Sequence, residues 1–121
     1  MNKMGKEEPR AAWIDYTTGG SLTIMGLREG GIELCVANTL SDFQRKFSLE
    51  NFPVLLFHPG VEHQHEVGEI KSKYPQLVFA IVTNPFGASD YKAFRRSNDL
   101  SVFGYDKIDA IERFIRENQR K

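Results

Sequence analysis

The chain has 121 residues, 40% of them hydrophobic and 26% charged, a composition typical of one globular domain large enough to bury its own core. Its 16 basic and 16 acidic residues balance, so the zero formal charge argues against nucleic acid or an acidic membrane surface as a partner. The single cysteine, Cys35, excludes an internal disulfide, and no apolar run reaches membrane-spanning length. We therefore expect a cytoplasmic protein.

The first ten residues include Lys3, Lys6 and Glu7 but no apolar segment, which is unlike a signal peptide. We expect residues 1–10 to form a flexible leader that ends near Pro9. The rest of the chain, residues 11–121, contains no linker, repeat or low-complexity segment and is predicted to form a single domain.

The first predicted strand is the largely apolar segment Ala11–Tyr16. Segment Thr17–Glu29 is then interpreted as a short helix, with Ser21 placed as its N-cap and Gly30 placed to end it. The glycines within this segment argue against a helix, because glycine loses more backbone entropy there than other residues.

A β-hairpin is the alternative for this region, formed by Leu22–Met25 and Ile32–Val36. In the helical interpretation, the second strand is Ile32–Ala37. A second helix is predicted at Leu40–Phe47, because its apolar residues recur at helical spacing.

Two unbroken apolar runs, Pro53–Phe57 and Leu77–Thr83, lie one helix length apart. Strands without a polar side are typical of a parallel sheet that is covered by helices on both faces. The helix between them is predicted to end at Tyr74, which precedes a proline and therefore disfavours the helical conformation. Functional groups in such folds lie where the strands end, so His58 and Thr83 are the first candidates.

The last third of the chain predicts a helix at about Ser89–Arg96, a strand at Leu100–Phe103 and a final helix with Asp106 as its N-cap. The final helix carries an apolar stripe of Ile108, Ile111 and Ile115. Five strands thus alternate with helices, which predicts an α/β fold. The residues expected to be buried between the two helical layers are Leu55, Leu56, Val78, Ile81 and Val102.

In this order and spacing of elements the chain resembles response-regulator receiver domains over residues 11–118. The passages Arg28–Asn38 and Lys71–Thr83 carry the resemblance, together with the spacing from Thr83 to Tyr105. The resemblance implies a doubly wound (βα)5 fold of the flavodoxin-like type, with five parallel strands in the order 2-1-3-4-5.

Receiver domains are phosphorylated on an aspartate at the end of the third strand, and two acidic residues after the first strand help to hold Mg²⁺. By the resemblance, Asp15 matches one of the two acidic residues, and Tyr16 stands where the other is expected. The acceptor position falls on Phe57 or His58, neither of which is a carboxylate.

Receivers also use a hydroxyl after the fourth strand and a lysine after the fifth to contact the phosphoryl group. Thr83 matches the hydroxyl, whereas the lysine position falls on Tyr105, or on Gly104 if the register shifts, with Lys107 as a weak substitute. Val102 stands where the family has an aromatic residue that turns inward on activation. The resemblance therefore implies a degenerate phosphorylation pocket, formed by Asp15, Tyr16, Phe57, His58, Thr83 and Tyr105.

The three histidines, His58, His63 and His65, are candidates for a transition-metal site because imidazole binds zinc and related ions. If a helix begins near Val61, then His63 and His65 lie on different faces of it and do not share an ion. They share one only if residues 61–65 form a loop. We therefore predict no metal site and no cofactor.

The leading functional hypothesis is a stand-alone, phosphorylation-independent signalling module that binds a protein partner and is not an enzyme. By the resemblance, its interaction surface is formed by the fourth helix, the fifth strand and the fifth helix, and the same surface serves for a homodimer. The residues assigned to this surface are Tyr91, Arg95, Arg96, Tyr105 and Arg113. The alternative is a small-ligand or metal-binding domain that uses the cleft at the carboxyl ends of strands one and three.

Overall fold

A computed structural model describes residues 8–17, 19–60, 62–84 and 100–119 of the chain. These residues form one parallel sheet of five strands in the order β2-β1-β3-β4-β5. The strands are β1 (Arg10–Asp15), β2 (Glu33–Ala37), β3 (Val54–His58), β4 (Val78–Thr83) and β5 (Ser101–Gly104). The helices are α1 (Ser21–Glu29), α2 (Leu40–Lys46), α3 (His65–Lys73) and α4 (Ile108–Glu117), with a 3₁₀ turn at Leu49–Asn51. Helix α4 is the one that the sequence analysis predicted as the final, fifth helix. The predicted fold and strand order are therefore confirmed.

Alternate residues of the central strands point to opposite faces of the sheet, and both faces are buried. On one face, Leu55 and Ile81 pack with residues of α2 and α3, including Phe43 and Ile70. On the other face, Leu56 packs with residues of α1 and α4, which include Leu27, Ile111 and Ile115. The apolar runs noted in the sequence therefore reflect strands that are covered on both sides.

Two of the residues expected in the core are less buried than predicted. Val78 is 37% exposed because it is the first residue of β4 and lies at the open end of the sheet. Val102 is only half-buried because β5 is an edge strand, although its side chain still packs against the core. The predicted burial of Leu55, Leu56 and Ile81 is confirmed.

Segment Ser21–Glu29 is a helix, so the hairpin alternative is wrong. Thr23 and Leu27, four residues apart, are buried, whereas Leu22 and Met25 are exposed. The strand expected to pair with it in a hairpin, β2, pairs in parallel with β1 instead. The helical period of the buried residues therefore outweighs the effect of the glycines.

Two predicted helix starts are wrong. Gly20 is the N-cap of α1, and Ser21 is already its first helical residue. Lys107, not Asp106, is the N-cap of α4, because the Lys107 N–H donates to the Gly104 carbonyl at 3.0 Å and closes a turn before the helix. The predicted end of α3 at Tyr74 is confirmed.

The predicted helix at Ser89–Arg96 lies outside the described residues. Among the residues that are described, no helix is long and apolar enough to cross a membrane.

Candidate functional site

The carboxyl ends of β1 and β3 place Asp15 and His58 side by side. The two residues are register partners in adjacent parallel strands, and both are buried, at 3% and 8% exposure. Of the two residues to which the resemblance assigns the phosphoryl acceptor, His58 is the one that lies beside Asp15. Phe57 points to the opposite face of the sheet and is part of the core around α2 and α3.

The residue that enters this site from the edge of the sheet is Tyr105. Its N–H donates to the Thr83 carbonyl at 2.8 Å, and its own carbonyl accepts from the buried Thr23 hydroxyl at 2.7 Å. Its ring stacks on Trp13, with centroids 6.3 Å apart and an interplanar angle of 28°. These contacts from β4, α1 and β1 direct the hydroxyl of Tyr105 towards Asp15.

The Tyr105 hydroxyl connects the side chains of Asp15 and His58. It donates to Asp15 Oδ2 at 2.6 Å and is hydrogen-bonded to His58 Nδ1. Asp15 Oδ1 accepts from both the N–H and the hydroxyl of Thr17, each at 2.8 Å. The carboxylate of Asp15 is thus bound by the Tyr105 hydroxyl and by both polar groups of Thr17.

This arrangement determines where the protons lie. The single hydroxyl proton of Tyr105 is donated to Asp15, so the Tyr105 oxygen accepts from His58, whose Nδ1 must carry a proton. Burial lowers the pKa of His58 from its usual 6.5, and the charge of Asp15 opposes that shift without cancelling it. At neutral pH the imidazole is therefore uncharged, and His58 and Asp15 form a polar contact and not an ion pair.

Tyr16, at the second acidic position, points away from this network. Its hydroxyl donates to Glu66 Oε1 at 2.7 Å and accepts from the Leu40 N–H at 3.1 Å. Its ring stacks on His63 with centroids 4.0 Å apart. Burial, followed by the hydrogen bond to Glu66, raises the pKa of Tyr16 to about 12. Tyr16 therefore joins the end of β1 to α2 and α3.

Thr83, which matches the receiver hydroxyl, is buried at the end of β4, 2% exposed. It is the register partner of Gly104, the last residue of β5. Of the two residues to which the resemblance assigns the receiver lysine, Tyr105 is the one whose side chain reaches the pocket. Lys107 is exposed and is the N-cap of α4.

The three histidines have different surroundings. His58 lies in the network with Tyr105, His63 stacks on Tyr16, and His65 is the exposed first residue of α3, 3.8 Å from Glu69. The helix thus begins at His65, later than the start near Val61 that was considered. Among the described residues, no group of three or more His, Cys, Asp or Glu side chains is arranged to hold a metal ion.

The sequence analysis missed two residues that build the site. Thr17 provides two hydrogen bonds to Asp15, and an aspartate side chain that binds the backbone two residues later is a recognised local turn. Gly20 lies so close to Trp13 that an added Cβ would be 2.5 Å from the indole ring. Only glycine therefore allows the Trp13–Tyr105 stack at this point of the chain.

Of the predicted interaction surface, Tyr91, Arg95 and Arg96 lie outside the described residues. Arg113 is exposed on α4, whereas Tyr105 is half-buried with its hydroxyl directed into the pocket.

Solved structures of receiver domains share this fold. The orphan response regulator HP1043 of H. pylori superposes with a TM-score of 0.66 at 20% identity, covering 92% of this chain and 96% of its own. The receiver domain of an HD domain-containing protein of Pseudomonas fluorescens Pf-5 has a TM-score of 0.70 at 9% identity, covering 98% and 92%. TrrA of Thermotoga maritima, solved with Mg²⁺ and beryllofluoride, has a TM-score of 0.68 at 19% identity, covering 89% and 96%.

No family model and no curated protein sequence matches the chain. The resemblance to receiver domains is thus confirmed at the level of the fold.

Proposed function

We propose that this chain is a receiver-like signalling module that works without phosphorylation, by presenting a constant surface to a protein partner. The observation that carries the proposal is the hydroxyl of Tyr105, which binds both Asp15 and His58. In a receiver, these three positions would hold the lysine, a magnesium ligand and the phosphoryl acceptor. In this chain, the Tyr105 hydroxyl at the first of these positions is hydrogen-bonded to the side chains at the other two.

The chemistry of the pocket supports phosphorylation independence. Mg²⁺ is a hard cation that requires several oxygen ligands, and phosphoryl transfer requires that the metal and a cation neutralise charge. Asp15 provides a carboxylate, but Tyr16 and His58 provide none at the two positions where the family has them. A neutral imidazole and a phenol also supply no positive charge in place of the lysine.

The alternative, a site for a small ligand or a metal in the same cleft, has weaker support. The polar groups that would bind a ligand there, Asp15, His58 and Thr17, are bonded to Tyr105 or to each other. A ligand would have to replace these bonds with its own, which removes most of the gain from binding. The same argument disfavours an enzyme that acts through these residues.

The test is a titration of the chain with beryllofluoride and Mg²⁺. Trp13 is the only tryptophan, and it stacks on Tyr105, so its fluorescence reports on the pocket. We expect no saturable, magnesium-dependent change in the fluorescence of this chain, and no mass gain with acetyl phosphate. TrrA, which was solved with the same reagent, is the positive control for the reagent. A saturable response of this chain would contradict the proposal.

A triple variant tests whether the pocket is the cause. Replacing Tyr16→Asp, His58→Asp and Tyr105→Lys restores the carboxylates and the cation that receivers use. This variant is expected to bind beryllofluoride in a magnesium-dependent manner. Circular dichroism should show that its fold is unchanged.

The second part of the proposal, binding of a protein partner, is tested by changing the predicted interaction surface on α4. Sedimentation velocity shows whether the chain forms a dimer, and Arg113→Glu reverses an exposed charge on the predicted surface. A dimer that this change dissociates supports the predicted surface, whereas a dimer that it leaves intact places the interface elsewhere.

A further inference from the structure

A second site lies at the opposite end of the sheet, where the strands begin. An open cleft of about 670 Å³ is lined by Arg10, by the last turn of α2 and by residues leading to Phe52. Three lining residues are cations, Arg10, Arg45 and Lys46, and none of the described acidic residues lines the cleft. The chain as a whole has no net charge, so this concentration of positive side chains is local.

Arg10 is held in place from several directions. The side-chain amide of Gln119 accepts from the Arg10 N–H at 2.9 Å and donates to the Arg10 carbonyl at 3.0 Å. The guanidinium carbon lies 4.5 Å from the centre of the Phe52 ring, and Nη1 donates to the Asn51 carbonyl at 3.3 Å. A side chain that is already ordered loses little entropy when it binds a ligand.

The three cations differ in how far they are already paired with carboxylates. Arg45 pairs with Asp42 on the same helix, and Arg10 Nε lies 3.3 Å from Glu33. Lys46 is exposed and, among the described residues, pairs with no carboxylate. An incoming anion would therefore gain most from Lys46 and would share the several N–H donors of the Arg10 guanidinium with Glu33.

The shape of the cleft indicates the class of ligand. Sites for small apolar molecules are enclosed and mostly apolar, whereas this cleft is open and mainly polar. Its apolar walls are the rings of Phe47 and Phe52, which pack edge to face at 6.2 Å. Phe52 is buried, at 1% exposure, so the half-buried Phe47 provides the aromatic surface that a partner could contact. Arginine beside a partly exposed aromatic ring is typical of protein–protein contacts.

We propose that this cleft binds an acidic segment of a protein partner, with its carboxylates on Lys46 and Arg10 and an apolar side chain against Phe47. The inference rests on the proposed function as an interaction module and names the chemistry of one partner segment. It assigns a surface remote from the pocket of Tyr105, at the other end of the strands.

The test uses a short fluorescein-labelled peptide of alternating aspartate and glutamate with one central phenylalanine, titrated with the full chain by anisotropy. We expect saturable binding that weakens as salt is added and is absent for the same peptide with asparagine and glutamine in place of the acids. Lys46→Glu is expected to weaken binding at least about fivefold, because it replaces an attractive charge by a repulsive one.

Lys107→Glu is the matched control, since it makes the same charge change at an exposed lysine at the carboxyl end of the sheet. It should change the affinity by about twofold or less, because the added charge lies beyond the screening length. Equal losses in the two variants, or equal binding of the neutral peptide, would overturn the proposal. Tighter binding of a single-stranded oligonucleotide of the same charge would overturn the assignment to a protein.

The two proposals fail separately. A response to beryllofluoride would arise in the pocket at the carboxyl ends of the strands, and it would contradict phosphorylation independence alone. A loss of peptide binding in Lys107→Glu as large as that in Lys46→Glu would contradict the acidic-segment site alone.

Discussion

A single tyrosine hydroxyl connects three strand ends in this protein. Tyr105 follows β5 and binds Asp15 from β1 and His58 from β3. Removal of the hydroxyl should therefore weaken the contacts between the ends of all three strands. The groups it satisfies are buried, and a buried polar group without a partner is costly. The hydroxyl thus has a structural role that phenylalanine cannot fill.

Tyr105→Phe is expected to lower the free energy of unfolding by about 1–3 kcal/mol, the range for a buried polar group that loses its hydrogen bond. The ring should keep its stacking on Trp13, so the native tryptophan emission should change little. Urea unfolding measures the stability. Tyr74→Phe is the control, because among the described residues the Tyr74 hydroxyl is hydrogen-bonded only to Gln44, by a long, exposed contact of 3.4 Å. A loss at Tyr105 no larger than at Tyr74 would contradict the structural role.

His58 gives the protein a pH-dependent stability. Its pKa in the folded state lies below the usual 6.5, so the unfolded chain binds the proton more readily. The contribution of His58 is therefore fully present above about pH 6.5 and is lost as the pH falls through the lowered pKa. Unfolding free energies measured between about pH 7 and pH 5 should fall less steeply in His58→Asn than in the parent chain.

His65→Asn is the matched control for that measurement. His65 is exposed at the start of α3, so the same substitution there removes an imidazole without altering the buried pocket. The same slope in His58→Asn and in the parent chain would show that the imidazole is not held in its uncharged form.

At this scale, the sequence predicts part of the pocket. The ends of apolar strands indicated His58 and Thr83, and the resemblance added Asp15 and Tyr105 but also Tyr16 and Phe57, which point away from the network. The link through Tyr105 could not be predicted, because it depends on the stacking of its ring on Trp13 and on the rotamer that follows. Hydrogen bonds between residues 90 positions apart have no local pattern in the sequence.

Helix α1 is fixed by packing, although its sequence is poor in helix-forming signals. Its N-cap, Gly20, makes no side-chain capping bond, and Gly26 packs its open face on Ile108 of α4. The helix is stabilised by the buried residues Thr23 and Leu27, which explains why its existence could be predicted and its exact start could not. The start of α4 was misplaced for a similar reason, since a turn to Gly104 competes with capping by Asp106.

Gly20→Ala is expected to destabilise the protein by about 1–3 kcal/mol, since the new methyl group overlaps the indole of Trp13. Trp13 should also show a shifted emission maximum, because the ring must move. Gly68→Ala in α3 is the matched control, since an added Cβ there meets nothing within 4 Å. This control should gain up to about 1 kcal/mol from the higher helix propensity of alanine. Equal changes in the free energy of unfolding in the two variants would contradict the close approach of Gly20 to Trp13.

The whole molecule depends on a sheet that is buried on both faces, which is the feature that the sequence predicts best. Leu56→Ala should lower the unfolding free energy by about 2–5 kcal/mol, because Leu56 is fully buried in β3. Leu22→Ala removes the same atoms from a side chain that is 78% exposed and should change stability by less than about 0.5 kcal/mol. Comparable losses at both positions in urea unfolding would contradict the assignment of β3 to the core.

The molecule is also expected to lack the two-state switch of receivers. Such a switch needs a difference in interaction between two conformations. Here Tyr105 fixes the ends of β1, β3 and β5 to one another, and Val102 is branched at Cβ and too short to move between pocket and surface. A module of this kind presents its partner surface at all times, which suits a function without phosphorylation.

Relaxation-dispersion NMR tests this expectation, because it detects exchange on the microsecond-to-millisecond timescale. We expect no concerted exchange that includes the backbone amides of Thr83, Val102 and Tyr105. Tyr105→Phe should introduce or increase exchange at Thr83 and Val102, because the bonds that hold the strand ends together are lost. Concerted exchange in the unmodified chain would show that a two-state element persists, and that a ligand other than phosphate drives it.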